Sequence, residues 1–458
     1  MSVQQIQHDS AKSALRSEAA ATALAAGGAA LLIVSQSSAP ALAAIALLVI
    51  AFAVRPASGL LLVAVTLPFY LFQKGFGAMS FSLPELFLLT TLLGAAIRFA
   101  WTARSSTIGL SEAATPLDLP IALFIAAALI SLLASEVLRV SLRDLRTLIL
   151  EPIAAYYLGV WLLGRRHLPW LVGALVAGGV AAALTGLYQY AFTAYTVDVE
   201  GARRMLGPYL SPNQLGLYLG RSLPFVLAAA IFAPRSRAVA IPGLAVLGAA
   251  QILTFSVGAW IATLLALGTV VALWRPRALL VAAGMVAAAS VAAVPVLSSE
   301  RLASHLSLTR GTSFIRLQLW ESSLRMIADH PVLGVGMDNF LYQYRSLYML
   351  PEAAAEPNLS HPHNLVLNFW LEVGILGLLA FLWILASLAR SWAALWRASS
   401  SPTERTILAG IAGAAADFVS HGMVDNSYFL TDMAFHFWLL AATIGVLSRS
   451  LHGDRRIG

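Results

Sequence analysis

His361, His363 and Asn364 stand where a polar stretch gives way to an apolar run that begins at Leu365. A neutral imidazole can take a proton from a hydroxyl group near neutral pH, because its unperturbed pKa is about 6.5. His363 is therefore a candidate general base. The same residues could instead only cap the start of a helix, and the sequence leaves both interpretations open. No carboxylate or third histidine lies near them in the sequence, so we predict no metal site.

Two arginines are candidates to bind a phosphate group. Arg204 precedes a turn rich in proline and glycine that opens a helix at Pro212, and Arg316 lies in a later polar stretch. A planar guanidinium and a helix N-terminus both donate hydrogen bonds suited to phosphate oxygens. For either arginine taken alone, an anchor at the membrane surface is the favoured interpretation.

The elements that must position these residues are predicted to cross a membrane. Hydrophobic residues make up 59% of the 458 residues and charged residues only 11%, whereas soluble domains carry about 25% charged residues. The long Ala/Leu/Val runs differ from the short alternating segments of a transmembrane β-barrel. Because a helix satisfies its own backbone groups in lipid, we predict an all-α, polytopic transmembrane helical bundle of about 12 to 14 spans.

The predicted spans follow the apolar runs. These runs cover residues 21–36, 40–54, 58–73, 83–103, 117–134, 145–163, 168–194, 212–233, 237–255, 257–274, 277–297, 362–390, 404–421 and 427–449. The predicted divisions are an N-terminal tail 1–20, a transmembrane region 21–297, one large outer loop 298–361 with short helices, C-terminal transmembrane helices 362–449 and a tail 450–458. We interpret the first run as an uncleaved helix.

The net charge of +7 is interpreted as a topological signal, and nucleic acid is not an expected partner. Alternate loops carry arginines, including Arg55, Arg98, Arg165, Arg235, Arg275 and Arg390. Such alternation marks cytoplasmic loops, so both tails are predicted to be cytoplasmic and 298–361 to lie on the other side. The chain has no cysteine, which excludes disulfides and thiolate chemistry.

Three loops on the outer side carry basic residues against this rule: 135–146, 195–211 and 298–361. The first is predicted to be an amphipathic helix at the interface. The last contains a mixed but helical apolar spacing at Phe314, Leu317, Trp320 or Glu321, Leu324 and Ile327, which predicts an amphipathic helix at the interface. A turn at 330–336 follows, whose proline and glycines stop the helix.

Several motifs in order carry a family resemblance. They are Arg204 with Gly207; Ser211-Pro212-Asn213-Gln214-Leu215-Gly216; Arg316 with Trp320; His330-Pro331-Val332-Leu333-Gly334-Val335-Gly336-Met337-Asp338-Asn339-Phe340; His363-Asn364 with Leu367 and Glu372-Val373-Gly374; and His421-Gly422-Met423-Val424-Asp425-Asn426. The series, over roughly residues 200–430, resembles the O-antigen ligase and O-antigen polymerase superfamily. Where that family often has Ser-Arg-Gly, this chain has Ser256-Val257-Gly258, which leaves the subgroup open.

The resemblance implies an inverting glycosyltransferase that needs no metal and no cofactor. It would move a glycan from undecaprenyl diphosphate to an acceptor hydroxyl at the periplasmic face of the bacterial inner membrane. His363 would be the general base, while Arg204 and Arg316 would bind the diphosphate and stabilise its departure. Arg203, Asn213, Asn364 and Arg325 are further candidates to bind substrate. The expected partners are the lipid-linked donor, a glycan or lipid acceptor and membrane lipid.

Within the family, lipid A-core is placed first as acceptor, which would make the chain a ligase in lipopolysaccharide biosynthesis. A polysaccharide polymerase or another glycan ligase remains the alternative. Of a different class, an ion or solute transporter could use acidic residues in the spans, such as Glu85, Glu151, Glu372 and Asp417. We predict that Glu372 and Asp417 are structural groups.

Overall fold

The computed structural model describes residues 3–77, 79–102, 115–199, 201–278, 280, 311–354 and 356–454. The described chain is predominantly helical. The helices are α1 Val3–Val34, α2 Ser38–Val54, α3 Pro56–Thr66, α4 Leu83–Thr102, α5 Asp118–Ser131, α6 Leu138–Asp144, α7 Glu151–Leu162, α8 Leu168–Phe192, α9 Pro212–Phe232, α10 Arg237–Leu253, α11 Val257–Trp274, α12 Gly311–Asp329, α13 Phe340–Gln343, α14 Leu365–Ala398, α15 Pro402–Gly422 and α16 Thr431–Asp454. Short π-helical turns occupy Leu145–Leu150 and Tyr344–Tyr348.

Eight helical segments in the described ranges are long and apolar enough to cross a membrane. They are Leu83–Trp101, Leu138–Leu162, Arg165–Phe192, Pro212–Phe232, Pro234–Leu253, Val257–Trp274, Leu365–Ala398 and Thr431–Arg449. Four shorter apolar helices occupy Glu18–Val34, Ser38–Val54, Pro56–Phe69 and Asp118–Ala134. The chain is therefore a polytopic all-α membrane protein, as predicted. The predicted run 277–297 and residues 298–310 lie almost entirely outside the described residues, so the number of spans stays a prediction.

One compact unit is formed by the described residues of 1–114, 153–178 and 441–458. Within it α1 packs on α2, and both α2 and α3 pack on α4. Much of the buried surface is alanine, as at Ala44 and Ala51. Small residues let helix backbones approach closely, which suits packing inside lipid.

The second compact unit is formed by residues 115–152 and 179–440. Here α9 packs against α10, α11 and α15, while α5 packs against α14. Aromatic rings fill the space between α5, α14 and the chain before α16. Phe369 and Phe381 stack with centroids 4.1 Å apart, and Tyr428 lies 5.0 Å from Phe369. All the residues singled out for chemistry lie in this unit.

Two antiparallel hairpins interrupt the helices. The first pairs β1, Gln73–Phe76, with β2, Met79–Ser82; the second pairs β3, Thr196–Val199, with β4, Ala202–Met205. The second hairpin lies in the predicted outer loop 195–211. The alternation of Val197 and Val199 with polar neighbours is typical of a short strand.

Helix α12 confirms that the stretch after 298 contains a helix. Of the residues in the apolar spacing, Leu317 and Leu324 are exposed, at 37% and 58%, and Ile327 is buried. The buried face also contains Leu319, Met326 and two serines. Ser322 Oγ donates to Tyr348 O and Ser323 Oγ donates to Leu319 O. Because their hydroxyls are satisfied, these serines can be buried, and a search for apolar spacing cannot find them.

Helix α14 is broken at Gly374, where φ is +72°. The turn that follows α12 docks into this break: Val335 N and Gly336 N both donate to Leu371 O, and Ile375 N donates to Val332 O. A Cβ at Gly374 would lie 2.3 Å from Val332 O, so only glycine permits this approach. The predicted helix stop at 330–336 is thus confirmed, and the turn replaces hydrogen bonds that the broken helix cannot make itself.

The predicted helix within 135–146 is also present. It forms α6 and continues through the π-helical turn into α7, so that 138–162 is one long helical segment. Arg143 pairs with Asp144 at 2.9 Å and with Asp338 at 2.6 Å. The basic charge of this segment is therefore compensated partly by the turn after α12.

Candidate active site

His363 meets a carboxylate that the sequence did not suggest. His363 lies just before α14, and Asp425 lies in the turn between α15 and α16. His363 Nδ1 is 3.0 Å from Asp425 Oδ1, and His361 Nε2 is 3.4 Å from the same oxygen. The expectation that no carboxylate accompanies the two histidines is therefore wrong. The partner comes from 62 positions away, and only the tertiary fold brings it there.

The electrostatics of this group favour an ionised Asp425 and a neutral His361. Burial alone would raise the pKa of Asp425, but the charge and hydrogen bonds of His363 and His361 hold it well below its ordinary value. Burial lowers the pKa of His361, and the charges of His363 and Arg316 lower it further, against the opposing effect of Asp425. Since an ionised carboxylate only accepts hydrogen bonds, His363 Nδ1 carries a proton. When His363 acts as a base, Nε2 is the ring atom that can accept a proton.

The backbone at His363 adopts an uncommon conformation. Its φ is +49°, in the left-handed region that costs a residue with a side chain on the order of 1 kcal/mol. Asn364 follows at once and caps α14: its Oδ1 accepts from Val366 N and Leu367 N. Its Nδ2 donates to Met423 O at 3.3 Å. The capping interpretation is thus observed for Asn364, and the cap also ties His363 to the turn that carries Asp425.

Arg221 stabilises the turn that carries Asp425, and the sequence analysis did not single this residue out. Arg221 lies in α9, is 2% exposed, and donates to Ser427 O and to Met433 O. Asn426 closes the turn by accepting from Phe429 N at 2.9 Å. An arginine inside the apolar run 212–233 was the available signal, because a charge within a span is costly and is usually paired or functional.

Arg204 lies on β4 and joins three elements. Its Nε donates to Thr254 O at 2.9 Å, at the end of α10, and its Nη2 donates to Asn213 Oδ1 at 2.8 Å, at the start of α9. Asn213, predicted to bind substrate, therefore orients Arg204. The start of α11 then approaches the turn of Asp425, since a Cβ at Gly258 would lie 3.1 Å from the Val424 side chain.

Arg316 lies on α12 and differs from Arg204. It makes no hydrogen bond or ion pair with any residue that the structure describes, and its Nε is buried without a partner. Its charge contributes to the lowered pKa of His361. Helix α12 packs against α14, which begins two residues after His363. A meeting of Arg204, Arg316 and His363 in one cavity stays a prediction.

The two other predicted arginines have protein partners. Arg203 donates to Thr193 O and Thr196 Oγ1, and its guanidinium lies 4.7 Å from the Tyr190 ring centroid. Arg325 pairs with Glu321 at 2.6 Å, with both side chains more than half exposed. These contacts account for both arginines within α12 and the β3–β4 hairpin, and a substrate role for either remains a prediction.

Two comparisons relate part of this chain to known proteins. The family model described as O-Antigen ligase matches residues 242–382. An O-antigen ligase from Pseudomonas aeruginosa (strain PAO1) is 29% identical over 278 residues, which cover 59% of this chain and 61% of that protein. Over these residues the chain is similar to O-antigen ligases.

The match spans less than two thirds of that relative's length. The residues matched by the family model include Arg316, His361, His363 and Asn364, while Arg204 lies before them and Asp425 after them. The His361, His363 and Asp425 donor atoms lie within 4.8 Å of one another, a spacing that a metal ion could use. The hydrogen bonds between them already give each donor a partner, so the geometry does not require an ion.

Proposed function

We propose that this protein transfers a glycan from undecaprenyl diphosphate to an acceptor hydroxyl, with His363 as general base. The observation that carries the proposal is the His363–Asp425 pair, with the unpaired Arg316 on α12, which packs against the helix that follows His363. A base oriented by a carboxylate, together with a cation that has free donors, provides the two functions that this transfer needs. The similarity to O-antigen ligases supports the same chemistry.

The reaction would run in one displacement. His363 Nε2 takes the proton of the acceptor hydroxyl, and that oxygen attacks the anomeric carbon of the donor. The bond from this carbon to the diphosphate oxygen breaks, and the diphosphate leaves with the electron pair. Attack opposite the leaving group inverts the anomeric centre. Arg316, together with Arg204, stabilises the charge that develops on the diphosphate.

The protein's own groups can perform this without a metal ion, because histidine supplies the base and arginine the positive charge. We place the reaction at the periplasmic face of the bacterial inner membrane and take lipid A-core as the acceptor. A polymerase, in which the acceptor is another growing glycan, shares the same steps. The transporter alternative is less well supported. Glu372 Oε2 accepts from Asp338 N, Glu85 Oε2 accepts from Ser82 N, and Glu151 pairs with Arg146.

The test uses purified protein in nanodiscs with an undecaprenyl diphosphate-linked oligosaccharide and lipid A-core. We expect a product of inverted linkage whose formation persists in EDTA. In a deletion strain, one surface polymer should disappear while its lipid-linked precursor accumulates. Accumulation without polymer loss, or transfer only after a metal is added, would contradict the proposal. Reporter fusions at Arg277 and Ala354 should report opposite sides of the membrane.

A further inference from the structure

One face of α12 has three polar groups that lack partners among the described residues. Thr312 Oγ1, Arg316 Nε and Trp320 Nε1 are each buried, and none has a hydrogen-bond partner in the part of the chain that the structure describes. Each lies four positions along the helix from the next, so they share one helical face at intervals of about 6 Å. In native proteins about 90% or more of buried polar groups are paired. Three consecutive exceptions on one face need an explanation.

Other tryptophans in the part of the chain that the structure describes do give their indole N–H a protein acceptor. The indole Nε1 donors of Trp260, Trp370, Trp392 and Trp438 bond to Gln251 O, Pro331 O, Leu408 O and Tyr428 Oη respectively. Trp320 instead packs its ring against the hydrophobic core beneath α12, which fixes the ring while its N–H stays unpaired. An indole N–H can only donate, so its missing partner must be an acceptor.

The location of this face suggests what the acceptor is. Trp320 on α12 packs against the same core cluster as Leu367 of α14, and α14 begins two residues after His363. The face therefore lies near the start of α14, where the candidate base is. A threonine hydroxyl can donate, and guanidinium and indole groups donate only. Together they favour an anion rich in oxygen atoms. A strip of about 12 Å is longer than one phosphate and fits a diphosphate with the sugar attached to it.

We propose that Thr312, Arg316 and Trp320 form one binding strip for the head group of the lipid-linked donor. Arg316 binds the diphosphate, and Thr312 and Trp320 each donate a hydrogen bond to head-group oxygens on either side of it. This inference rests on the proposed function and adds two donor-binding residues to it. The strip acts on donor affinity and leaves proton transfer to His363.

The test compares Trp320→Phe, which keeps an aromatic ring and removes the N–H, with the matched control Trp370→Phe. The probe is undecaprenyl diphosphate carrying one sugar, added to protein in nanodiscs, with the Kd measured directly and the donor KM measured in the transfer assay. Loss of one hydrogen bond to a charged ligand should weaken binding roughly tenfold and raise KM similarly, with kcat within about twofold. Trp370→Phe should leave the donor Kd unchanged, because its N–H serves Pro331 O.

Thr312 provides the second measurement. Thr312→Val should weaken donor binding several-fold, and Thr312→Ser, which keeps the hydroxyl, should bind as the wild type does. Thermal unfolding shows whether each variant is folded; if Trp320→Phe is not, the Thr312 pair decides. Unchanged donor affinity in the folded variants would overturn the binding strip. The proposed function would still stand in that case, because it is tested by transfer with the wild-type protein. Failure of the wild type to bind the probe would overturn both.

Discussion

Two clusters of ionisable groups in the same compact unit differ in how they are paired and exposed. At the turn before α16, His361 and His363 keep about a fifth of their side-chain surface exposed and share Asp425. In the interior, Arg221 and Asp417 are 2% and 0% exposed and 4.0 Å apart. Both oxygens of Asp417 and both ring nitrogens of His436 have no hydrogen-bond partner in the described ranges.

The difference separates groups that can take part in a reaction from groups that only stabilise the fold. A histidine that is reachable and oriented by a carboxylate can exchange a proton with a substrate hydroxyl. A sealed charge cannot, but it can hold neighbouring backbone, as Arg221 does for Ser427 O and Met433 O. The outer cluster is therefore expected to control turnover, and the inner cluster is expected to control the shape and stability of the turn that carries Asp425.

The largest expected effect tests this division directly. His363→Ala should lower kcat by roughly 10²- to 10⁴-fold, with donor Kd nearly unchanged, because the base is lost while the arginines remain. His436→Gln, in the inner cluster, should keep kcat within a few-fold in protein that stays folded. Single-turnover assays of both variants measure this. Equal losses of kcat in the two variants would show that the two clusters do not differ in function.

Asp425→Asn should have the next largest effect, on the order of 10- to 100-fold in kcat. An asparagine can present its side-chain N–H₂ group to His363 Nδ1. That nitrogen would then have to accept a hydrogen bond, so the ring would rotate or its proton would move to Nε2.

The stability of the protein should also change with acid. Because the folded-state pKa of Asp425 lies well below the ordinary value of 3.8, its contribution is present above that value and is lost as pH falls through the lowered pKa.

The acid dependence is measured by thermal unfolding from pH 7 downward. The wild type should lose stability below about pH 4 more steeply than Asp425→Asn, which has no carboxylate at this site to protonate. Identical curves would show that the histidines do not stabilise the ionised carboxylate. The kcat measurement is unaffected by that outcome, since it is made near neutral pH.

The two arginines near the outer cluster give a smaller and more selective pair of effects. Arg204→Lys cannot reach both Thr254 O and Asn213 Oδ1, so we expect a loss of about 1–2 kcal/mol in stability. Arg316→Lys breaks no protein contact and should leave stability unchanged while raising donor KM roughly tenfold. Unfolding curves and donor titrations of the two variants are compared. A stability loss confined to Arg316→Lys would reverse the assignment.

The sequence predicted the helices of this fold better than it predicted the contacts of the site. The helices α2, α4, α8, α9 and α11 begin and end within a few residues of apolar runs, because hydropathy alone determines what can lie in lipid. Arg316 and His363 could be singled out because polar residues are rare in such a chain. Asp425 could not be paired with His363 in advance, since 62 residues separate them and no local pattern encodes that contact. The buried serines of α12 escaped for a related reason: their partners are backbone carbonyls.

Glu372 gives the smallest expected effect on kcat, and it tests whether burial with a protein partner distinguishes structural groups from catalytic ones. It is a third kind of ionisable group, buried in α14 yet paired: its Oε2 accepts from Asp338 N at 2.7 Å. That bond holds the turn after α12 in the break at Gly374.

Glu372→Gln keeps a carbonyl oxygen at the same position, so kcat should stay within about threefold and the unfolding temperature should change little. Glu372→Leu removes the acceptor, leaves Asp338 N without it, and should lower stability by about 1–3 kcal/mol. Both are measured on purified protein beside the wild type. A folded Glu372→Gln protein without turnover would place this carboxylate in the reaction, and burial with a backbone partner would then no longer distinguish structural from catalytic groups here.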